Sequence, residues 1–124
     1  MDADELKRRT KRFDLDVIDL VDSFPSTQPA RVIGNQLLRS ASSVGANYRA
    51  ASRGRLKADF ISKIGITIEE ADESQHWLEL LSEASLVSSE RLKPLLQESN
   101  ELIAILTASV KTARANLNRL GINR

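Results

Sequence analysis

Residues 30–51 read ARVIGNQLLRSASSVGANYRAA, and the apolar residues of this stretch recur every three or four positions. That spacing places side chains on one face of an α-helix. The face comprises Ala30, Ile33, Leu37, Ala41, Val44, Tyr48 and Ala51. Upstream, Thr27 and Gln28 precede Pro29, a residue suited to the first turn of a helix. Downstream, Gly54 can adopt the left-handed conformation that ends many helices. The stretch therefore predicts a helix over residues 29–52.

The same periodicity predicts three more helices, over residues 5–24, 57–85 and 89–119. Pro25 ends the first of them, because it disfavours the helical conformation in the residue before it. Pro94 lies within the first two turns of the last helix and predicts a bent or loosely formed start. No stretch alternates with the period of a strand. The pattern predicts an all-α fold, an antiparallel up-down-up-down four-helix bundle, as a single domain over residues 1–124 with a frayed tail from Gly121 onward.

Composition narrows the classes of protein further. The 124 residues contain no cysteine, so nothing indicates an oxidising compartment or a thiolate metal site. No apolar stretch approaches the roughly 20 residues that a membrane-spanning helix needs. The first twelve residues are charged throughout and have no apolar core, which argues against a secretory signal. We expect a cytoplasmic protein with no membrane partner.

Charge is strongly segregated along a chain whose net charge is only +1. Residues 23–58 contain six Lys or Arg and no acid, whereas residues 69–101 contain nine acids and two cations. Such segregation predicts separate basic and acidic faces. Guanidinium groups suit phosphate, which indicates RNA or DNA as a partner. The candidate phosphate ligands are Arg39, Arg49, Arg53, Arg55 and Lys57. In the alternative interpretation, these cations pair with the acids of the third and fourth helices or of neighbouring subunits.

Small residues form a strip beside the apolar face of the second helix. Gly34, Ser42 and Gly45 lie on it, with Leu38 between them. Glycine inside a helix costs roughly 1 kcal/mol relative to alanine, so two glycines require a compensating contact. We predict that Gly34, Leu38, Ser42 and Gly45 allow close helix packing, either within the bundle or against a second subunit.

Catalysis is not indicated by any motif. Glu73 and His76 have the Glu-x-x-His spacing of di-iron bundles, but such a site uses two pairs and His76 is the only histidine. There is no cysteine nucleophile and no glycine-rich phosphate loop after a strand. We therefore predict no catalytic residue, no metal ligand and no cofactor. A metal-dependent bundle remains the least favoured alternative.

Residues 30–51 resemble the core signature of a bacterial four-helix-bundle family that includes proteins encoded within intervening sequences of 23S ribosomal RNA genes. The resemblance continues through residues 57–60, 69–74 and 77–80 and covers roughly residues 13–118. The family pattern often has an acid at the position of Ala50 and a serine at that of Leu56. The absence of an acid at Ala50 makes this helix more basic than is usual for the family.

The resemblance implies a homo-oligomeric ring, typically a pentamer, without established enzymatic activity. Relatives that assist diversity-generating reverse transcriptases bind nucleic acid and the polymerase. Two functions therefore stay open: nucleic-acid binding through the basic residues, and a structural or adaptor role through protein partners such as a reverse transcriptase.

Overall fold

A computed structural model of the chain describes residues 1–121. It contains four α-helices: α1 (Ala3–Asp22), α2 (Gln28–Ser52), α3 (Lys57–Glu83) and α4 (Ser89–Arg119). These bounds lie within two residues of the predicted ones. Of the predicted tail, residues 122–124 lie outside the described part of the chain.

The helix ends follow from local side-chain chemistry. Asp2 caps α1 by accepting a hydrogen bond from the backbone N–H of Glu5 at 2.9 Å, and Thr27 caps α2 in the same way through Ala30 at 3.3 Å. Gly54 does not adopt the predicted left-handed conformation. Its N–H instead bonds to the carbonyl of Ala51 at 3.1 Å, so α2 closes with a tight turn that needs no positive φ. Within residues 1–121, positive φ occurs at Ser85 and Gly121.

Contacts between helices establish their directions. Along each of four helix pairs, residue numbers rise on one helix while they fall on its neighbour, so all four pairs are antiparallel. The contacts are Gly34–Val21 and Gly45–Thr10 for α1 and α2, Ser40–Ser74 and Gly54–Phe60 for α2 and α3, Gln75–Asn100 and Ser82–Ser89 for α3 and α4, and Arg9–Glu98 and Ser23–Arg91 for α1 and α4. The predicted antiparallel four-helix bundle is confirmed.

The core lies along the common axis of the four helices. Each helix contributes fully buried side chains, among them Phe13, Val17, Leu37, Ile64, Leu78, Leu102 and Leu106. A polar contact crosses this core: Oγ of Ser74 in α3 donates to Oγ of Ser40 in α2 at 2.9 Å, and both residues are completely buried. Buried hydroxyl groups are tolerated because they are hydrogen-bonded.

Pro94 does not interrupt α4. The loosely formed start that this proline predicted is therefore not observed. The helix runs from Ser89 through Pro94 to Arg119. Pro94 has no N–H for the carbonyl of Glu90, but both residues are exposed, so this turn lies at the protein surface. No helix in the described part of the chain is long and apolar enough to cross a membrane.

Candidate nucleic-acid interface

A groove between α1 and α2 gathers cations from both helices. It encloses about 500 Å³ and is lined by Lys7, Arg8 and Lys11 of α1, by Arg49 of α2 and by Arg53, which directly follows α2. Their spacing explains the arrangement, because residues three or four apart share one face of a helix. The helices run antiparallel, so the basic start of α1 meets the basic end of α2. The result is a surface with five cations.

Asp14 and Gly45 form part of the same groove. A Cβ atom at residue 45 would lie 3.2 Å from Cγ of Asp14 and closer still to Oδ2. Glycine therefore provides the space that the carboxyl group of Asp14 occupies against α2. Thr10 packs at the same crossing, where its backbone oxygen would lie 3.7 Å from that Cβ.

The carboxyl group of Asp14 has an unusual environment. Burial raises its pKa from 3.8 to about 7, and a contact with the backbone of Gly45 offsets part of this rise. Among residues 1–121, its buried Oδ1 has no hydrogen-bond partner, and no Lys or Arg lies within ion-pair distance of the carboxylate. The five cations of the groove are thus not neutralised by the acid at its base.

Two of the five predicted phosphate ligands, Arg49 and Arg53, lie in this groove. Arg39 lies elsewhere, at the junction of α2 and α3, where it forms ion pairs with Glu70 at 3.2 Å and with Glu73. That arrangement matches the alternative interpretation, in which cations pair with acids of the third helix.

Arg55 and Lys57 line a different cavity of about 350 Å³, beside Tyr48 and Phe60. The spacing of four between Arg49, Arg53 and Lys57 would align these residues only if α2 continued through the turn. Because α2 ends at Ser52 and α3 begins at Lys57, the chain changes direction between them.

The cations of α1 were not among the predicted ligands. The first twelve residues contain five Lys or Arg, and three of these, Lys7, Arg8 and Lys11, line the groove. The sequence shows their charge and their shared helical face. It does not show that this face lies beside Arg49 and Arg53, which depends on the packing of α1 against α2.

The four predicted packing residues have different environments. Gly34 is buried, and a Cβ there would lie 3.2 Å from Cδ2 of Phe24 and from Cγ1 of Val21. Gly45 contacts Asp14, as described above. Leu38 is half-buried against the core, whereas Ser42 is exposed. Both glycines thus allow close approach of α1 within one chain.

The Glu73–His76 pair is not arranged as a metal site. Glu73 contacts Arg39 and accepts a hydrogen bond from Nε1 of Trp77 at 3.3 Å. His76 is exposed and lies edge-on to the ring of Trp77, with 4.8 Å between the ring centroids. In the part of the chain that the structure describes, no group of three or more His, Cys, Asp or Glu residues could hold a metal ion.

Comparisons with known proteins agree with the fold. A family model described as 23S rRNA-intervening sequence protein matches residues 4–108. A crystal structure from Bacteroides thetaiotaomicron VPI-5482, of a protein of unknown function from the S23 ribosomal protein family, is 32% identical in sequence with a TM-score of 0.83. The match covers 90% of this chain and 99% of that one. No curated protein matches significantly. The extent of the family match, together with the four-helix fold, shows that this chain belongs to the 23S rRNA-intervening sequence protein family.

Proposed function

We propose that this protein binds nucleic acid through the groove between α1 and α2, in a binding rather than a catalytic role. The observation that carries the proposal is the convergence of five cations from two helices around one cavity. Phosphodiester groups are the natural ligands of such a surface, because Lys and Arg that approach them release condensed counterions. RNA is the first nucleic acid to test, since the family description names 23S rRNA.

The groove favours contact with the phosphate backbone over recognition of bases. The residues that line it include no aromatic side chain on which a base could stack. We therefore expect affinity with little sequence preference and a strong dependence on salt. We also propose that the protein acts in the cytoplasm.

A salt titration with a fluorescently labelled RNA hairpin tests this function. The Arg49→Ala and Arg53→Ala double variant should weaken binding and reduce the log–log salt slope by about 1.4 to 1.8, the loss expected for two phosphate contacts. The matched control is the Lys111→Ala and Arg114→Ala double variant, which removes the same charge from exposed positions of α4. Equal losses in both variants, or no RNA binding by the wild-type protein at low salt, would refute the proposal.

A second candidate function is self-association into a ring, the pentamer that the resemblance implies. Exposed acids at helical spacing follow the outer face of α3: Glu69, Asp72, Glu79 and Glu83. Within residues 1–121, α3 makes no backbone contact with α1, so this acidic stripe and the basic start of α1 lie on diagonally opposed helices. Opposite charges on opposite sides suit a head-to-tail contact between copies, which closes into a ring when the rotation permits.

Light scattering in low and high salt tests this second candidate. Charge-mediated rings should dissociate as salt rises, because exposed ion pairs are screened. The Glu79→Lys and Glu83→Lys double variant should remain monomeric. Monomeric wild-type protein in low salt would exclude the ring.

A further inference from the structure

Among the described residues that line the groove, Asp14 supplies the one carboxyl group beside five cations, and one of its two oxygens lacks a hydrogen-bond partner. Asp14 lines the cavity, its Oδ1 is buried, and among the described residues no donor reaches this oxygen. Building on the proposed function, we infer that a phosphate group bound in the groove shares one proton with the carboxyl group of Asp14. Binding of phosphate is then coupled to the uptake of a proton.

The charges around Asp14 explain why the proton is needed. Lys7, Arg8 and Lys11 of its own helix line the same groove, as do Arg49 of α2 and Arg53 just after the end of α2, although none of them forms an ion pair with Asp14. These cations attract phosphate, but an ionised Asp14 repels it, since like charges in close proximity disfavour each other. A protonated Asp14 removes the repulsion and also supplies an O–H donor to a phosphate oxygen.

Helix α4, which packs on the other side of α1, does not change the balance of charge in the groove. Arg9 faces α4, where it donates from Nε and Nη2 to Glu98 at 2.8 and 2.7 Å and from Nη2 to Glu101 at 2.7 Å. Glu98 and Glu101 of α4 are therefore already paired with Arg9. Among the described residues that line the groove, Asp14 is the only acid.

Protonation of Asp14 is accessible near neutral pH. Because burial has already raised the pKa of this group to about 7, both forms are populated in the free protein. A bound phosphate should raise the pKa further, and by linkage phosphate should bind more tightly to the protonated protein.

Two measurements test the coupling. The first follows the Asp14 carboxyl carbon by NMR during a pH titration, with sodium sulfate or with sodium chloride at matched ionic strength. Sulfate is a tetrahedral dianion whose own charge is constant in this range, and it should raise the pKa of Asp14. The second measures RNA affinity against pH, with a hairpin that lacks terminal phosphates. The Kd should increase by about tenfold between roughly pH 6.5 and pH 8.5, as expected for uptake of one proton.

Variants separate Asp14 from other titrating groups. Asp14→Asn should bind RNA at high pH as tightly as the wild-type protein does at low pH, and its Kd should be independent of pH. His76→Gln is the control, because His76 is exposed on α3 and should leave the pH dependence intact.

The outcomes distinguish this inference from the proposed function. RNA binding that depends on Arg49 and Arg53 but not on pH would overturn the inference and leave the proposed function standing. If RNA does not bind at all, the proposed function fails. The sulfate titration then tests the inference about Asp14 by itself. A pKa of Asp14 that sulfate leaves unchanged would then overturn the inference as well, whereas a raised pKa would support an anion site for a different phosphate ligand.

Discussion

The carboxyl group of Asp14 in α1 occupies the space that a side chain at Gly45 in α2 would require. The two positions are separated by 31 residues in the sequence. Their contact brings α1 close to α2 at the base of the basic groove, and it buries an acid that solvent would otherwise keep ionised. One glycine thus contributes both to helix packing and to the electrostatics of the candidate site.

The two glycines of α2 should respond differently to alanine. Gly34→Ala should lower the free energy of unfolding by about 1–2 kcal/mol, because the new methyl group meets Phe24 and Val21 in a buried position. Gly45→Ala should change it by less than about 1 kcal/mol, since Asp14 can rotate away and alanine favours the helix. Urea denaturation measures both. Equal stability of the Gly34→Ala and wild-type proteins would contradict this account of the crossing.

Burial of Asp14 should make stability depend on pH. Its pKa is raised in the folded state from 3.8 to about 7, so the folded chain binds more protons than the unfolded chain between these values. Stability should therefore fall as pH rises through this window. Asp14→Asn should remove about 1–2 kcal/mol of the difference between about pH 5 and pH 8, a value reduced to allow for partial solvent exposure. The control is Asp19→Asn, which alters an exposed acid of the same helix. If the free energy of unfolding depends on pH in the same way for both variants, the predicted role of Asp14 is wrong.

The buried hydroxyl pair should couple α2 to α3. Ser40→Ala and Ser74→Ala should each cost about 1 kcal/mol, because each removes a buried hydrogen-bonding group. Since the two hydroxyl groups interact, the double variant should differ from the sum of the single variants by about 0.5 kcal/mol or more. A double-mutant cycle from urea denaturation measures this difference. Strict additivity would mean that the contact contributes nothing to stability.

Two arginines of α2 should differ in their effect on RNA binding. Arg49→Ala should weaken binding by about three- to tenfold at low salt, because it removes a cation from the groove. Arg39→Ala should have a smaller effect, since Arg39 is paired with Glu70 and Glu73 outside the groove. Fluorescence anisotropy with one RNA hairpin compares the two. A larger loss for Arg39→Ala would place the interface on the other side of α2.

Local patterns were sufficient for the architecture. The spacing of apolar residues predicted four helices, and the residues around Pro25 and Pro29 placed the first turn. The backbone conformation at the end of α2 was harder to predict, because a glycine in a turn is compatible with several conformations. Gly54 adopts one without positive φ.

The sequence predicted only part of the candidate site. Arg49 and Arg53 belong to the acid-free run, and their spacing of four indicated a shared face. The sequence did not predict the other three cations of the groove, which lie far away along the chain: Lys7, Arg8 and Lys11. Arg39 belongs to the acid-free run but faces α3. Spacing along one helix determines which residues share a face. It does not determine which neighbouring helix that face meets.

The sequence by itself determined the secondary structure, the antiparallel bundle and the segregation of charge, because these depend on short-range periodicity and on turn length. Only the tertiary structure decided which cations converge, that Asp14 lies among them, and why residue 45 is glycine. Those features depend on the register between α1 and α2, which is set by the fit of side chains across the crossing and not by either helix alone.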